Sequence, residues 1–239
     1  MMKAKLGRVF ATALLVTASV AQAEDIALSE PTVSRGQGWS TLSGKTVGNG
    51  STVIQGQLGW PGLSGTLLIG VAPKLDLGGK LTFNYGEEGI VTRVVPGLKL
   101  QGVLRVELLE TSRINLGLKF EPGPIFYFEG PNTTRIGLAL PIGLTLGIPV
   151  GSAVMVNAGL DLPMYVFFGP DGGLNFPIMV GGGMEYFISH NLAINFNLRM
   201  GPTAGNYYYY NPYYYPFNRG YYYTAPFTLE ALMGIAFKL

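Results

Sequence analysis

Leu75-Asp76-Leu77-Gly78-Gly79-Lys80-Leu81-Thr82-Phe83-Asn84-Tyr85 decides the fold. Leu75, Leu77, Gly79, Leu81, Phe83 and Tyr85 share one parity, and Asp76, Gly78, Lys80, Thr82 and Asn84 share the other. Side chains of a strand alternate between faces with period two, so this stretch predicts a strand with one apolar and one polar face. The pattern returns at Ile114-Asn115-Leu116-Gly117, Val154-Met155-Val156-Asn157 and Leu192-Ala193-Ile194-Asn195, at offsets of 39, 40 and 38 residues. A tight turn precedes each: Ala72-Pro73-Lys74, Thr111-Ser112-Arg113, Val150-Gly151-Ser152 and Ser189-His190-Asn191. The repeat is a β-hairpin stepping around a closed sheet.

Ten strands follow from this reading: Ser51–Gly59, Gly65–Val71, Leu75–Tyr85, Gly97–Leu109, Ile114–Phe128, Arg135–Ile148, Ala153–Phe168, Phe176–Ile188, Leu192–Gly201 and Phe227–Leu239. Eight is the alternative if Ser51–Val71 forms no hairpin. The expected fold is all-β, a single antiparallel transmembrane barrel spanning residues 50–239, with short turns on one rim and longer loops on the other.

Composition supports a membrane setting. Apolar residues make up 48% of the 239 and charged residues 13%, against about 25% charged in ordinary soluble chains. Mean hydropathy is +0.29, yet no run of apolar residues is long enough for a spanning helix. Alternation along Ile136, Leu138, Leu140, Ile142, Leu144, Leu146 and Ile148 leaves one face apolar throughout. Trp60, Tyr85, Phe126, Phe128, Phe168 and Phe176 gather at the loop-side strand ends, with Tyr186 near the opposite rim. Aromatic residues favour membrane interfaces. The hydrocarbon core tolerates no open sheet edge, so the strands are expected to close.

The N-terminus reads as an export signal: Lys3, Lys5 and Arg8, an apolar Val9–Val20, then Ala21-Gln22-Ala23. Loss of residues 1–23 would leave thirteen basic against fourteen acidic residues, and nothing in that balance points to nucleic acid. Glu24–Asn49 is polar and rich in Gly, Ser and Thr. It is expected to be a periplasmic lead-in or a segment tucked into the barrel mouth. The absence of cysteine excludes disulfides, thiolate metal sites and cysteine nucleophiles.

The end of the chain, Gly234-Ile235-Ala236-Phe237-Lys238-Leu239, resembles the C-terminal signal of small Gram-negative outer-membrane β-barrels. That resemblance implies an outer-membrane location, lipid around the barrel, and handling of the last strand by the barrel assembly machinery.

The polar parity is the expected lumen. It carries Asp76, Lys80, Lys99, Arg105, Glu107, Lys119, Glu121, Asp161, Glu185, Arg199, Glu230 and Lys238, six acidic and six basic side chains. Buried charges are tolerated when paired, and small barrels have side-chain-filled interiors. A packed ion-pair network is therefore favoured over an ion pathway or an acid–base site. No enzyme is expected, and no metal or cofactor. A Ser–His mechanism needs a positioned base, and the sole histidine, His190, lies in a short turn. Glu107 and Glu121 could imitate paired catalytic carboxylates, but they lack an accompanying histidine. Gly181-Gly182-Gly183 lacks the helix of a phosphate loop and is expected to ease curvature or let a side chain cross the lumen.

Ten of the fourteen tyrosines fall in Asn206–Tyr223, within the loop Pro202–Pro226: Tyr207, Tyr208, Tyr209, Tyr210, Tyr213, Tyr214, Tyr215, Tyr221, Tyr222 and Tyr223. Pro212, Pro216 and Gly220 break the run, so it cannot be one strand. Tyrosine offers large amphipathic contact area at low entropic cost. The leading expectation is an outer-membrane barrel displaying this segment to an extracellular glycan or protein. The alternatives are an enlarged aromatic rim and, for the barrel as a whole, a narrow porin-like diffusion channel.

Overall fold

The computed structural model describes residues 38–87, 94–130, 133–169, 172–208, 221–223 and 227–239. The export segment 1–23 and the stretch 24–37 lie outside the described residues, as do Tyr209, Tyr210 and Tyr213–Tyr215. In chain order the strands are β1 (Thr52–Trp60), β2 (Gly62–Ala72), β3 (Leu75–Asn84), β4 (Gly97–Glu110), β5 (Asn115–Phe120), β6 (Gly123–Gly130), β7 (Thr133–Ala139) and β8 (Ile142–Val150). There follow β9 (Val154–Leu162), β10 (Tyr165–Phe167), β11 (Gly173–Pro177), β12 (Met179–Phe187), β13 (Leu192–Gly201), β14 (Thr203–Tyr208), β15 (Tyr221–Tyr223) and β16 (Thr228–Lys238).

Ten of these close a ring in the order β1-β2-β3-β4-β5-β8-β9-β12-β13-β16 and back to β1, antiparallel throughout. The seam joins first and last strands, from Val53 opposite Lys238 to Trp60 opposite Ala231. The first hairpin, the one in doubt from sequence, is regular from Thr52 opposite Ile69 to Leu58 opposite Leu63.

Where the sequence implied single long strands, proline interrupts them. Pro122 separates β5 from β6, Pro141 precedes β8 and Pro163 separates β9 from β10, while Pro202 ends β13 where the sequence implied, before β14 begins. Proline has no N–H to give to a ladder, so the pattern breaks while the chain runs on. Its carbonyls still serve: Gly102 donates to Pro122 (2.9 Å), Glu121 to Pro141 (3.0 Å) and Ile178 to Pro202 (2.9 Å). Beyond the breaks, β6, β7, β10, β11, β14 and β15 pair in sequence from β4 onward. This band raises one flank of the barrel toward the loop side, while the β1–β2 hairpin turns at Pro61.

The loop Pro202–Pro226 is corrected in part by this band. Its first residues are strand β14, and β14 pairs with β15 as Asn206 opposite Tyr223, Tyr207 opposite Tyr222 and Tyr208 opposite Tyr221.

Parity sorts the residues as the sequence implied. Leu81, Leu100, Leu144, Ile194 and Ile235 point outward and are exposed, whereas Thr82, Gln101, Thr145 and Asn195 point inward and are buried. At the loop-side rim the Trp60 and Tyr85 rings meet edge to face at 6.0 Å.

Candidate functional site: the lumen and its internal segment

The interior begins with a segment that hydrophobic periodicity could not place. Residues 39–48 run inside the short-turn end of the barrel, and most are buried. Ser and Thr fold this stretch locally, because their hydroxyls bond nearby backbone. The Ser40 hydroxyl accepts from the N–H groups of Leu42 (3.2 Å) and Ser43 (2.8 Å), and Ser40 N–H donates to the Thr46 carbonyl (3.3 Å). The result is a small closed loop. The Trp39 indole donates to the His190 carbonyl in the β12–β13 turn (2.8 Å), and its ring packs edge-on against Phe187 at 5.4 Å.

Charged wall residues hold the loop. The Arg105 guanidinium donates to the carbonyls of Ser40 (2.9 Å), Ser43 (2.9 Å) and Lys45 (2.6 Å) and lies 3.3 Å from Asp76. Asp76 accepts from Val47 N–H (3.1 Å). Glu185 accepts from Thr41 N–H (2.8 Å) and Oγ1 (2.7 Å) and from the Ser40 hydroxyl. Glu107 accepts from Thr46 N–H (3.3 Å), and Lys238 donates to the Val47 carbonyl (3.1 Å).

The wall is thinned to admit the loop. Gly44 and Gly117 lie so close that a Cβ on either would strike the other's backbone. A Cβ on Gly70 would strike the Gly48 carbonyl, and one on Gly147 would meet the Ser43 side chain. These inward glycines were the sequence signal for a close backbone approach.

The twelve lumen charges thus divide, which corrects the expectation of one mutually paired network. Asp76, Arg105, Glu107, Glu185 and Lys238 hold the internal segment. Farther in, Lys80 lies 3.5 Å from Glu121, Lys119 lies 3.5 Å from Glu121 and 3.9 Å from Asp161, and Arg199 pairs with Asp161. Glu230 sits opposite Arg199 in the β13–β16 register, and the Lys99 ammonium is 5.9 Å from the Tyr165 ring. Arg199 reaches β9 from β13 across β12, whose inward residue opposite it is Gly181, so the glycine run does let a side chain cross.

This belt separates two cavities. One, small, lies between the belt and Thr41 and Leu42 of the internal segment, lined also by Gln55, Gln57, Asn197, Leu68, Val103 and Leu232. The other, also small, is lined by Pro61 at the tip of the first hairpin and by Pro141 and Pro163 at the strand breaks. Lys80, Lys119, Glu121, Arg199 and Glu230 line both. On the raised flank the Arg135 guanidinium stands 4.2 Å from the Phe167 ring centre and 5.1 Å from that of Tyr127, 2.5 Å from Glu87 and 3.3 Å from Glu129. Sequence reasoning missed Arg135 as an inward charge.

Glu107 and Glu121 have different partners: Glu107 faces the internal segment and Glu121 the belt lysines. Of the tyrosines proposed for surface contact, Tyr207, Tyr208 and Tyr221–Tyr223 are placed by backbone pairing in β14 and β15. Among the described residues no three acidic or histidine side chains converge on a metal position.

No family model and no curated protein matches the chain. Among solved structures, the chain is similar to the outer-membrane expressed OmpT of Vibrio cholerae, at 12% identity and a TM-score of 0.38, over 90% of this chain and 72% of that one. The expectation that the chain is not an enzyme does not stand beside that neighbour and is withdrawn. A likeness this distant assigns no activity. The class rests on the barrel's own construction. Ten antiparallel strands closed into a ring, an apolar surface outside and a polar, charged interior make this chain a transmembrane barrel of the outer-membrane type.

Proposed function

We propose that the protein is an outer-membrane scaffold that presents the Tyr-rich segment Asn206–Tyr223 at the cell surface. The observation that carries this reading is the β14–β15 pairing, in which Tyr207 faces Tyr222 and Tyr208 faces Tyr221. The pairing gives the segment a hairpin stem on the raised flank instead of a slack connection. The segment holds ten tyrosines and a single charged residue, Arg219. Such a surface gains by covering an apolar face while its hydroxyls keep hydrogen bonds. A sugar ring or a protein surface outside the cell meets both needs.

In this reading the chain is exported from a Gram-negative cytoplasm by cleavage after Ala23. It is inserted through recognition of its last strand, and lipid surrounds the outward parity. The test replaces Asn206–Tyr223 by a short Gly-Ser turn and follows two properties. The barrel is expected to remain heat-modifiable in membranes, because β13 and β16 pair directly from Leu192–Phe237 to Gly201–Thr228. Attachment of expressing cells to immobilised glycans or protein-coated surfaces is expected to be lost. Unchanged attachment by a folded loopless barrel would remove the reading.

A further inference from the structure

We infer that residues 39–48 are a displaceable plug, and that the barrel behind them is a passage for small hydrated solutes. This concerns the lumen and is independent of the Tyr-rich segment.

The wall beyond the plug has the chemistry of a wet path. Gln55, Gln57, Thr66 and Asn197 face the cavity between the plug and the charged belt. Asn197 is buried, and its side-chain oxygen has no protein partner. A lumen built as a permanent core would cover this space with apolar side chains, because an unpartnered buried amide costs about 1–3 kcal/mol. The belt is a waist and not a wall, since Lys80, Lys119, Glu121, Arg199 and Glu230 line the cavities on both sides. The outer cavity touches Pro61 at the tip of the first hairpin, so it reaches the long-loop rim. What ends the path at the other rim is the loop 40–46.

The plug is held in a way that permits release. Between its ends, Ser40 to Thr46 bond to polar wall groups, each of which can exchange its partner for water, whereas Trp39 and Val47 sit in an apolar cluster with Phe187 and Leu68 that displacement must open. Its link to β1 carries Gly48 and Gly50 at φ of 95° and 74°, a conformation that glycine adopts without strain. Arg105 is the latch, because one guanidinium gathers three carbonyls of the loop. The waist and the cavity outside it carry Lys80, Lys99, Lys119 and Arg199 against Glu121, Asp161 and Glu230. With four positive charges against three negative, only a weak preference for anions is expected.

The Gly44–Gly117 contact supplies a variant that acts on the plug alone. Gly44→Val adds a side chain where the Gly117 backbone already lies, and it leaves every residue of the barrel wall unchanged. The full chain reconstituted in planar bilayers is expected to be closed most of the time. Gly44→Val, and a variant with residues 38–48 excised, are expected to show steady conductance at least ten-fold above that level, with a potassium-to-chloride permeability ratio within about three-fold of unity. The chain has no cysteine, so Ser43→Cys reports seating directly. Its thiol is expected to react with a membrane-impermeant maleimide at least ten-fold faster when Gly44→Val is present. A second route unlatches the loop without new bulk: Arg105→Gln with Asp76→Asn, leaving no bare charge, is expected to speed labelling in the same direction. A heat-modifiable Gly44→Val barrel that neither conducts nor exposes the thiol would overturn the proposal. So would failure of both the Gly44→Val and the excised chains to fold, which would make the segment part of the core.

Discussion

Arg199 on β13 pairs with Asp161 on β9 by passing over the strand between them, where the inward residue is Gly181. An ion pair that skips a strand needs that strand to be bare. A Cβ at Gly181 would also press on the Leu198 carbonyl and the Arg199 Cα. Gly181→Leu is therefore expected to destabilise the barrel by about 1–3 kcal/mol, the usual cost of overpacking. Gly65, whose Cβ would meet nothing within 4 Å, is the control: Gly65→Ala should shift the urea midpoint little.

The belt and the rim provide a contrast in charge. Asp161 is buried between Lys119 and Arg199, and Asp161→Asn leaves two cations facing each other. Removing one partner of a buried pair costs about 3–5 kcal/mol. Lys45 and Glu110 lie 2.5 Å apart, but the Glu110 side chain is 44% exposed, and exposed pairs are worth about 0–1 kcal/mol. Denaturant titrations of Asp161→Asn and Glu110→Gln should differ accordingly. Equal losses would mean that the belt is not a desolvated site.

Lipid contact has a depth-dependent signature. Leu144 on β8 faces outward and is exposed. Leu144→Lys at the membrane midplane is expected to cost about 2–4 kcal/mol in reconstituted vesicles, while Leu144→Phe should be nearly neutral. If the two substitutions behaved alike, β8 would have its faces reversed.

The chain has two tryptophans, and they occupy opposite ends of the barrel. Trp39 is buried against Phe187, and Trp60 sits at the loop rim beside Tyr85. In Trp60→Phe the remaining indole should emit at short wavelength and resist soluble quenchers. Adding Gly44→Val should red-shift the emission and raise quenching. An unshifted spectrum would place Trp39 in contacts that do not depend on the rest of the loop.

Export is tested separately. The protein recovered from outer membranes of a Gram-negative host is expected to begin at Glu24. Met1 retained on the membrane-inserted product would refute the cleavage site.

The ring of spans and its inside and outside were legible because parity repeats across every hairpin, as in Leu75–Tyr85. The internal segment was not legible in this way. Ser40, Thr41 and Thr46 have no apolar period, and their partners Glu185, Arg105 and Glu107 lie far along the chain. Only the closed barrel brings them together. The strand breaks at Pro122, Pro141 and Pro163 stood in the sequence. They were read through because apolar alternation continues past each one. The lumen charges were found by parity, but parity carries no information on which of them meet each other and which meet a returning segment.

The plug is joined directly to β1, and one of its bonds comes from β16. Lys238 reaches the Val47 carbonyl only when the last strand lies beside the first, with Lys238 opposite Val53. That bond therefore exists only in the closed ring. A barrel that zips its seam before the loop has entered must admit that loop through a finished rim. One that gathers the loop first can close around it.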